Sequence, residues 1–341
     1  MRRYLPVVLL VVSLITAVPA RGMAAAALPH QFADIEKHWA QEELTAMINL
    51  DILSGYAVNN RYYAKPNKPI TRVEFAALMA KTLQLEAVDS QPDFADWQDV
   101  PRWARGAVAA LKADGIVNGV PGPGGKMYFQ PHKNITRAEI AAIIMNAVEK
   151  KPIPPYTLSF VDVPMGKWYT EPVLQAKKAG LISGRTASTF EPHGKATRAE
   201  VIVILHRFLK SAGSNPPEDE DLTAVVEDYF EDLKDVMAGD GSLSDLKPHT
   251  TGGAALALEK GGLGLLEAVP LNAGIKYVRQ AEEPEVQFKS GRLAEVTGKT
   301  KVKLKGGDSL QVEVTEKYGL TKIGNKWKIY SVEIINQRVY N

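Results

Sequence analysis

One pattern occurs three times in this chain, and it limits the possible folds more than any other feature. Phe32-Ala33-Asp34, Phe94-Ala95-Asp96 and Phe160-Val161-Asp162 are each followed by a tryptophan, at Trp39, Trp103 and Trp168. A glycine stands 16 residues beyond each tryptophan (Gly55, Gly119, Gly184), and a Thr-Arg-x-Glu element begins at Thr71, Thr136 and Thr197. Pro66, Pro131 and Pro192 each precede one of those threonines by five residues. Tandem copies of one supersecondary unit produce such a series, and they pack together because no copy buries its apolar face alone.

Each copy reads as helix, loop, helix. Ala40, Leu44 and Met47, then Ala104, Val108 and Leu111, then Tyr169, Val173 and Ala176 form the i, i+4, i+7 stripe of an amphipathic helix. Gly115 and Gly180 suit a left-handed helix C-cap in copies two and three, where copy one has Asp51. Thr-Arg-x-Glu is a capping box opening a second helix, and Ile70 with Phe75 and Ile135 with Ile140 are spaced for a hydrophobic staple.

Most of the repeated residues have a structural explanation. The three tryptophans near helix starts suit packing against the core, with sugar stacking as the other reading. Asp34, Asp96 and Asp162 suit turns or caps. The glycines suit a backbone angle or the close approach of a ligand. Arg72, Arg137 and Arg198 differ, because a cation in the first turn of a helix opposes the macrodipole by roughly 0.3–1 kcal/mol. Three in equivalent places imply a nearby anion. It is either a carboxylate of a neighbouring repeat or a ligand, for which helix N–H groups and a guanidinium fork are both suited.

Phe-x-Asp, Trp, Gly and Thr-Arg-x-Glu, in that order and three times over, resemble the S-layer homology family. The resemblance covers about residues 32–211 and implies an all-α, pseudo-threefold unit of repeats 28–92, 93–157 and 158–211. It further implies anchoring to secondary cell-wall polysaccharide, often one bearing a pyruvate ketal, at the cell wall or S-layer of a bacterium of Gram-positive type. Grooves between repeats would bind it: Arg72, Arg137 and Arg198 would meet the ketal carboxylate, and Gly55, Gly119, Gly184, Trp39, Trp103 and Trp168 would face the sugar. Asp34, Asp96 and Asp162 would organise the grooves, with Asp99 a competitor of Asp96.

Other features set the context. Arg2 and Arg3 before an apolar run from Tyr4 to Val18, then small residues to Ala27, predict a signal peptide over 1–27 rather than an uncleaved anchor, the run being short for a span of about 20 residues. No later segment predicts a membrane span. The absence of cysteine excludes disulfides, thiolate metal sites and a lipidated cysteine. A net charge of +2 gives no bulk argument for nucleic acid. No metal or cofactor motif is present.

Residues 212–217 read as a linker and 218–341 as a small α+β domain with an antiparallel sheet. An acidic amphipathic helix carries Leu222, Val225, Val226, Tyr229, Phe230 and Leu233, and period-two patterning follows from about Glu285, with turns at Gly306-Gly307-Asp308 and Gly324-Asn325. This order resembles nuclear-transport-factor-2-like (NTF2-like) or cystatin-like folds. Lys301, Lys303 and Lys305 suit the wet face of a sheet or contact with an anionic polymer. The expectation is a non-enzymatic, exported wall-binding protein whose C-terminal domain serves an unidentified partner. One rival is a wall-associated enzyme with a pocket lined by His249, Tyr277 or Glu285, and another is a self-assembling S-layer component.

Overall fold

The computed structural model describes residues 32–59, 61–148, 160–213, 216–269, 271, 274–305 and 311–340. The expected signal peptide, Ser214 and Asn215 of the expected linker and the Gly306–Asp308 turn lie outside them. Two compact units are present: Phe32–Met47 with Ile52–Leu209, and Lys210–Asn341 with Ile48–Asp51.

In the repeat unit, helices α1 (Gln41–Asn49), α3 (Arg102–Ala113) and α5 (Thr170–Lys178) open the three copies. Helices α2 (Arg72–Leu83), α4 (Arg137–Ala147) and α6 (Arg198–Ser211) close them. All nine residues of the predicted stripes are buried. Capping boxes form at Thr71 and Thr136 with both reciprocal bonds, and Thr197 with Glu200 repeats them. Ile70, Phe75, Ile135 and Ile140 are wholly buried, as the staples require.

The expectation of an all-α unit fails in the loops. Strands β1 (Tyr56–Val58) and β2 (Arg61–Tyr63) form an antiparallel hairpin in the first copy, and β3 (Val120–Pro121) with β4 (Met127–Tyr128) forms one in the second. The chain leaves α1 and α3 and must return before the next helix, so its backbone groups pair with each other across that reversal. The first two copies are therefore mixed helix and sheet, while the third has no strand among its described residues.

A closed ring of backbone hydrogen bonds joins the copies. Ile135 N–H donates to the Ile70 carbonyl (3.0 Å), Ala196 N–H to Ile135 (3.2 Å) and Ile70 N–H to Ala196 (3.1 Å). All three residues are fully buried, so each bond forms away from competing water.

The second unit is α7 (Asp219–Ala238), α8 (Gly252–Glu259), α9 (Leu265–Ala268) and a four-stranded antiparallel meander. Its strands are β5 (Ile275–Lys289), β6 (Leu293–Leu304), β7 (Gln311–Ile323) and β8 (Lys326–Tyr340), paired in sequence order. Leu222, Val226, Tyr229, Phe230 and Leu233 of α7 pack on one sheet face, with Val296, Val302, Val312, Val314 and Ile329. No helix among the described residues is long and apolar enough to cross a membrane.

Candidate functional site

The repeat arginines are 4–5% exposed, and each reaches into the following repeat, with the third closing on the first. Nε of Arg72 donates to the Phe129 carbonyl (2.8 Å), that of Arg137 to Phe190 (2.9 Å) and that of Arg198 to Ala64 (2.8 Å). Nη2 of Arg137 and of Arg198 also donates to the carbonyls of Ser183 and Ser54, immediately before Gly184 and Gly55. The helix N–H groups follow the same course. Those of Arg72, Arg137 and Arg198 donate to Lys133, Gly194 and Lys68, and those of Val73, Ala138 and Ala199 to Pro131, Pro192 and Pro66. The first-turn donors suited to an anion are thus already bound to carbonyls, whose dipoles also offset the misplaced cation.

The aspartates shape the loops that receive the arginines. Asp34 accepts the N–H groups of Ala64 and Lys65, Asp96 those of Phe129 and Gln130, and Asp162 those of Phe190 and Glu191, all at 2.7–2.8 Å. Asp96, not Asp99, fills this place in the second copy. Lys65, Gln130 and Glu191 hold left-handed backbone at φ of 50°, 57° and 59°, a conformation that costs an L-residue energy. The carboxylate clamp offsets that cost and turns the preceding carbonyl towards the arginine. Burial pushes the Asp162 carboxyl up, but its backbone N–H bonds win and hold it below the usual range.

The glycines are explained by the Phe of their own Phe-x-Asp. A β-carbon at Gly119 would sit 2.7 Å from Phe94 Cε1 and 2.9 Å from the Tyr128 carbonyl oxygen. Equivalent contacts exist between Gly55 and Phe32 and between Gly184 and Phe160, so Phe and Gly recur together because one ring lies on one backbone.

The tryptophans are not packing residues. Trp39, Trp103 and Trp168 are 64%, 64% and 61% exposed, because Ala40, Ala104 and Tyr169 beside them take the inward position. Trp103 lines a groove of about 600 Å³ together with Ser54, Tyr56, Glu74, Arg102 and Arg198, drawn from all three repeats. Sequence reasoning missed Tyr56 and Arg102. A basic residue precedes every repeat tryptophan (His38, Arg102, Lys167), which was the available signal.

The three arginines differ in what neutralises them. Arg72 Nη1 lies 3.3 Å from Glu139, and Arg137 Nη1 3.8 Å from Glu200. Arg198 has no carboxylate of the described residues in ion-pair reach and instead lies over the Tyr56 ring, 4.9 Å from its centre. The corresponding Glu74 is taken by the Tyr56 hydroxyl at 2.6 Å. Burial, then that bond, lifts the Tyr56 pKa to about 12, so the hydroxyl remains a donor. Burial raises the Glu74 carboxyl, but bonds from Thr71 and Tyr56 outweigh it and hold Glu74 ionised. Burial lowers the pKa of Arg72 against the pull of Glu139. Burial and then neighbouring Arg185 do the same to Arg137.

In the second unit His249, Tyr277 and Glu285 do not converge. His249 Nε2 meets Asp232 of α7 at 2.7 Å, whereas Tyr277 pairs with Lys303 and Glu285 with Thr297 at separate places along β5 and β6.

The S-layer homology domain model matches residues 31–76, 93–141 and 159–202. An amylopullulanase of Thermoanaerobacterium thermosulfurigenes is 32% identical over 189 residues, 54% of this chain and 10% of the relative. An S-layer protein of Bacillus thuringiensis subsp. finitimus is 27% identical over 217 residues, covering 62% and 25%. A cellulosome-anchoring protein of Acetivibrio thermocellus is 30% identical over 141 residues, covering 40% and 30%. The chain thus spans under a third of each of these relatives. The matched segments contain the Phe-Gly contacts, the aspartate clamps and the arginines that lace one copy to the next, and residues 31–76, 93–141 and 159–202 are three S-layer homology repeats.

Proposed function

We propose that the repeats hold this protein at the bacterial cell surface by binding a cell-wall polysaccharide, with the Trp103 and Arg198 groove as the principal site. The observation that carries this reading is three equivalent tryptophans left more than half exposed, one of them on a groove whose guanidinium has no carboxylate of the described residues in ion-pair reach. An indole face suits the apolar face of a sugar ring, and the groove's cations suit an acidic substituent such as a pyruvate ketal. Arg72 and Arg137 already face Glu139 and Glu200, so a carboxylate ligand there must compete with the protein's own. Gly55 and Asp34 shape this groove, and Gly119, Gly184, Asp96 and Asp162 shape its two counterparts, which use Trp39 and Trp168 as sugar-facing walls. The wall is of Gram-positive type, as the Bacillus S-layer relative suggests, and the C-terminal unit is what the anchor retains there.

Co-sedimentation of the full chain with purified sacculi tests this. Trp103→Ala weakens binding by about 10- to 30-fold, the effect of losing a hot-spot aromatic. Removing the secondary polymer abolishes binding, and removing only its ketal groups reduces it. Wild-type binding by Trp103→Ala, or binding to polymer-free sacculi, would overturn the proposal. The exposed tryptophan is chosen because its loss leaves the fold intact.

A further inference from the structure

The C-terminal sheet has one face packed under helices and one without them. Val278, Val302, Val312 and Val339 form a row on the packed face, facing the core. By strand alternation the flanking rows, Arg279–Lys301–Glu313–Arg338 and Tyr277–Lys303–Gln311–Tyr340, lie on the opposite face. Two cations elsewhere on that face are matched: Lys299 pairs with Glu282 at 2.7 Å and Lys317 with Glu333 at 2.8 Å. In the two end rows only Lys301 is matched, by Glu313 at 3.1 Å. Arg279, Lys303 and Arg338 have no carboxylate of the described residues within ion-pair reach, and Arg279 and Arg338 are exposed. Tyr277 and the 44%-exposed Tyr340 stand at the two edges.

Like charges on adjacent strands repel, so this end of the sheet carries an electrostatic cost that packing does not require. The same unit places eight carboxylates and one lysine on α7, leaving its charge separated rather than mixed. We propose that the cationic end of the helix-free face binds an acidic polysaccharide laid across the four strands. Three strand spacings of about 4.8 Å give a track of about 14 Å, the reach of roughly three sugar residues, with a tyrosine at each end. Basic side chains then meet carboxylates while the rings meet sugar faces. The choice of polysaccharide over other polyanions rests on the wall-binding reading, but the surface shares no residue with the repeat groove.

Affinity electrophoresis of the full chain in gels containing polygalacturonate, neutral dextran or a single-stranded oligonucleotide tests it. Polygalacturonate is expected to retard the wild-type chain and dextran not to. The exposed-face variant Arg279→Ser, Lys303→Ser, Arg338→Ser is retarded far less, and the salt dependence of its residual retardation falls by about two in log–log slope, three cations on a flexible chain. Trp103→Ala keeps it, separating this site from failure of the groove reading. Undiminished retardation of the triple variant, or retardation by the oligonucleotide and not by polygalacturonate, would overturn the proposal.

Discussion

The two units bury ionisable groups in opposite ways. In the repeat unit Arg72, Arg137 and Arg198 are almost fully buried and remain charged, because each is met by carbonyl oxygens of the next copy and two also by carboxylates. In the C-terminal unit Glu316, 1% exposed, receives from the described residues only the Tyr318 hydroxyl at 2.8 Å and the Leu265 N–H at 2.6 Å. Burial there outweighs both bonds and pushes its pKa up to about 7. A buried group keeps its charge when enough opposite charge and dipole is built around it, and otherwise takes up or gives off a proton. The repeat architecture supplies that surrounding three times with one set of residues.

Removing a cation from this lattice gives the largest expected change. Arg72→Ala leaves Glu139, 7% exposed, with the Thr136 N–H at 2.8 Å and, as counter-charge among the described residues, the half-exposed Lys133 amine at 3.5 Å. A destabilisation of about 3–5 kcal/mol is expected from breaking a buried pair. Arg198→Ala strands no carboxylate and loses two carbonyl bonds, for roughly 2 kcal/mol. Arg72→Lys recovers little, since one ammonium cannot reach both the Phe129 carbonyl and Glu139 in the guanidinium's geometry. Urea unfolding of the repeat unit measures the order, and equal losses for Arg72→Ala and Arg198→Ala would remove the distinction drawn between their grooves.

Glu316 predicts the opposite behaviour with pH. Its folded pKa of about 7 lies above the ordinary 4.5, so between these values the native state holds more protons than the unfolded chain. The Glu316 contribution to the stability of the C-terminal unit is then full below pH 4.5, falls as pH rises to 7 and levels off above. The full shift of roughly 2.5 pH units corresponds to about 3 kcal/mol. Glu316→Gln keeps both hydrogen-bonding partners within reach and flattens the profile. Urea midpoints of both proteins from pH 4.5 to 8 test this, and an unchanged slope in the variant would assign the pH dependence to another group.

The repeats were legible in the sequence because each of their interactions recurs. Helix stripes, capping boxes and staples follow local spacing rules, and an arginine repeated in a first turn implies a nearby anion by its position alone. What spacing does not carry is the other side of each contact. The Phe129, Phe190 and Ala64 acceptors are main-chain carbonyls, which have no sequence signature. The tryptophans invite a packing assignment because large apolar residues beside amphipathic helices usually face inward, but the fold places Ala40, Ala104 and Tyr169 there instead. The hairpins β1–β2 and β3–β4 are two or three residues a strand, below the length at which alternation is recognisable. In the C-terminal unit alternation showed the strands from about Glu285 and missed the first ten residues of β5, which begins at Ile275, and the position of Glu316 opposite Leu265 depends on contacts 51 residues apart in the chain.

Backbone conformation provides the smallest and most local contrast. Gly115 follows α3 in the repeat unit with φ of 69°, and Gly239 follows α7 in the C-terminal unit with φ of 91°. A β-carbon at either meets nothing within 4 Å, so Gly→Ala at each adds no clash and the cost is the left-handed conformation alone. Both substitutions are expected to destabilise their own unit by about 1 kcal/mol. Asp51 takes the corresponding place in the first copy at φ of 57°, so the repeat fold already carries this strain once. Thermal unfolding of the two variants separates local from architectural energetics. Similar losses mean that backbone terms are indifferent to the repeat lattice and that its advantage lies in buried charge, whereas a much larger loss at Gly115 means that one strained turn is felt through all three copies.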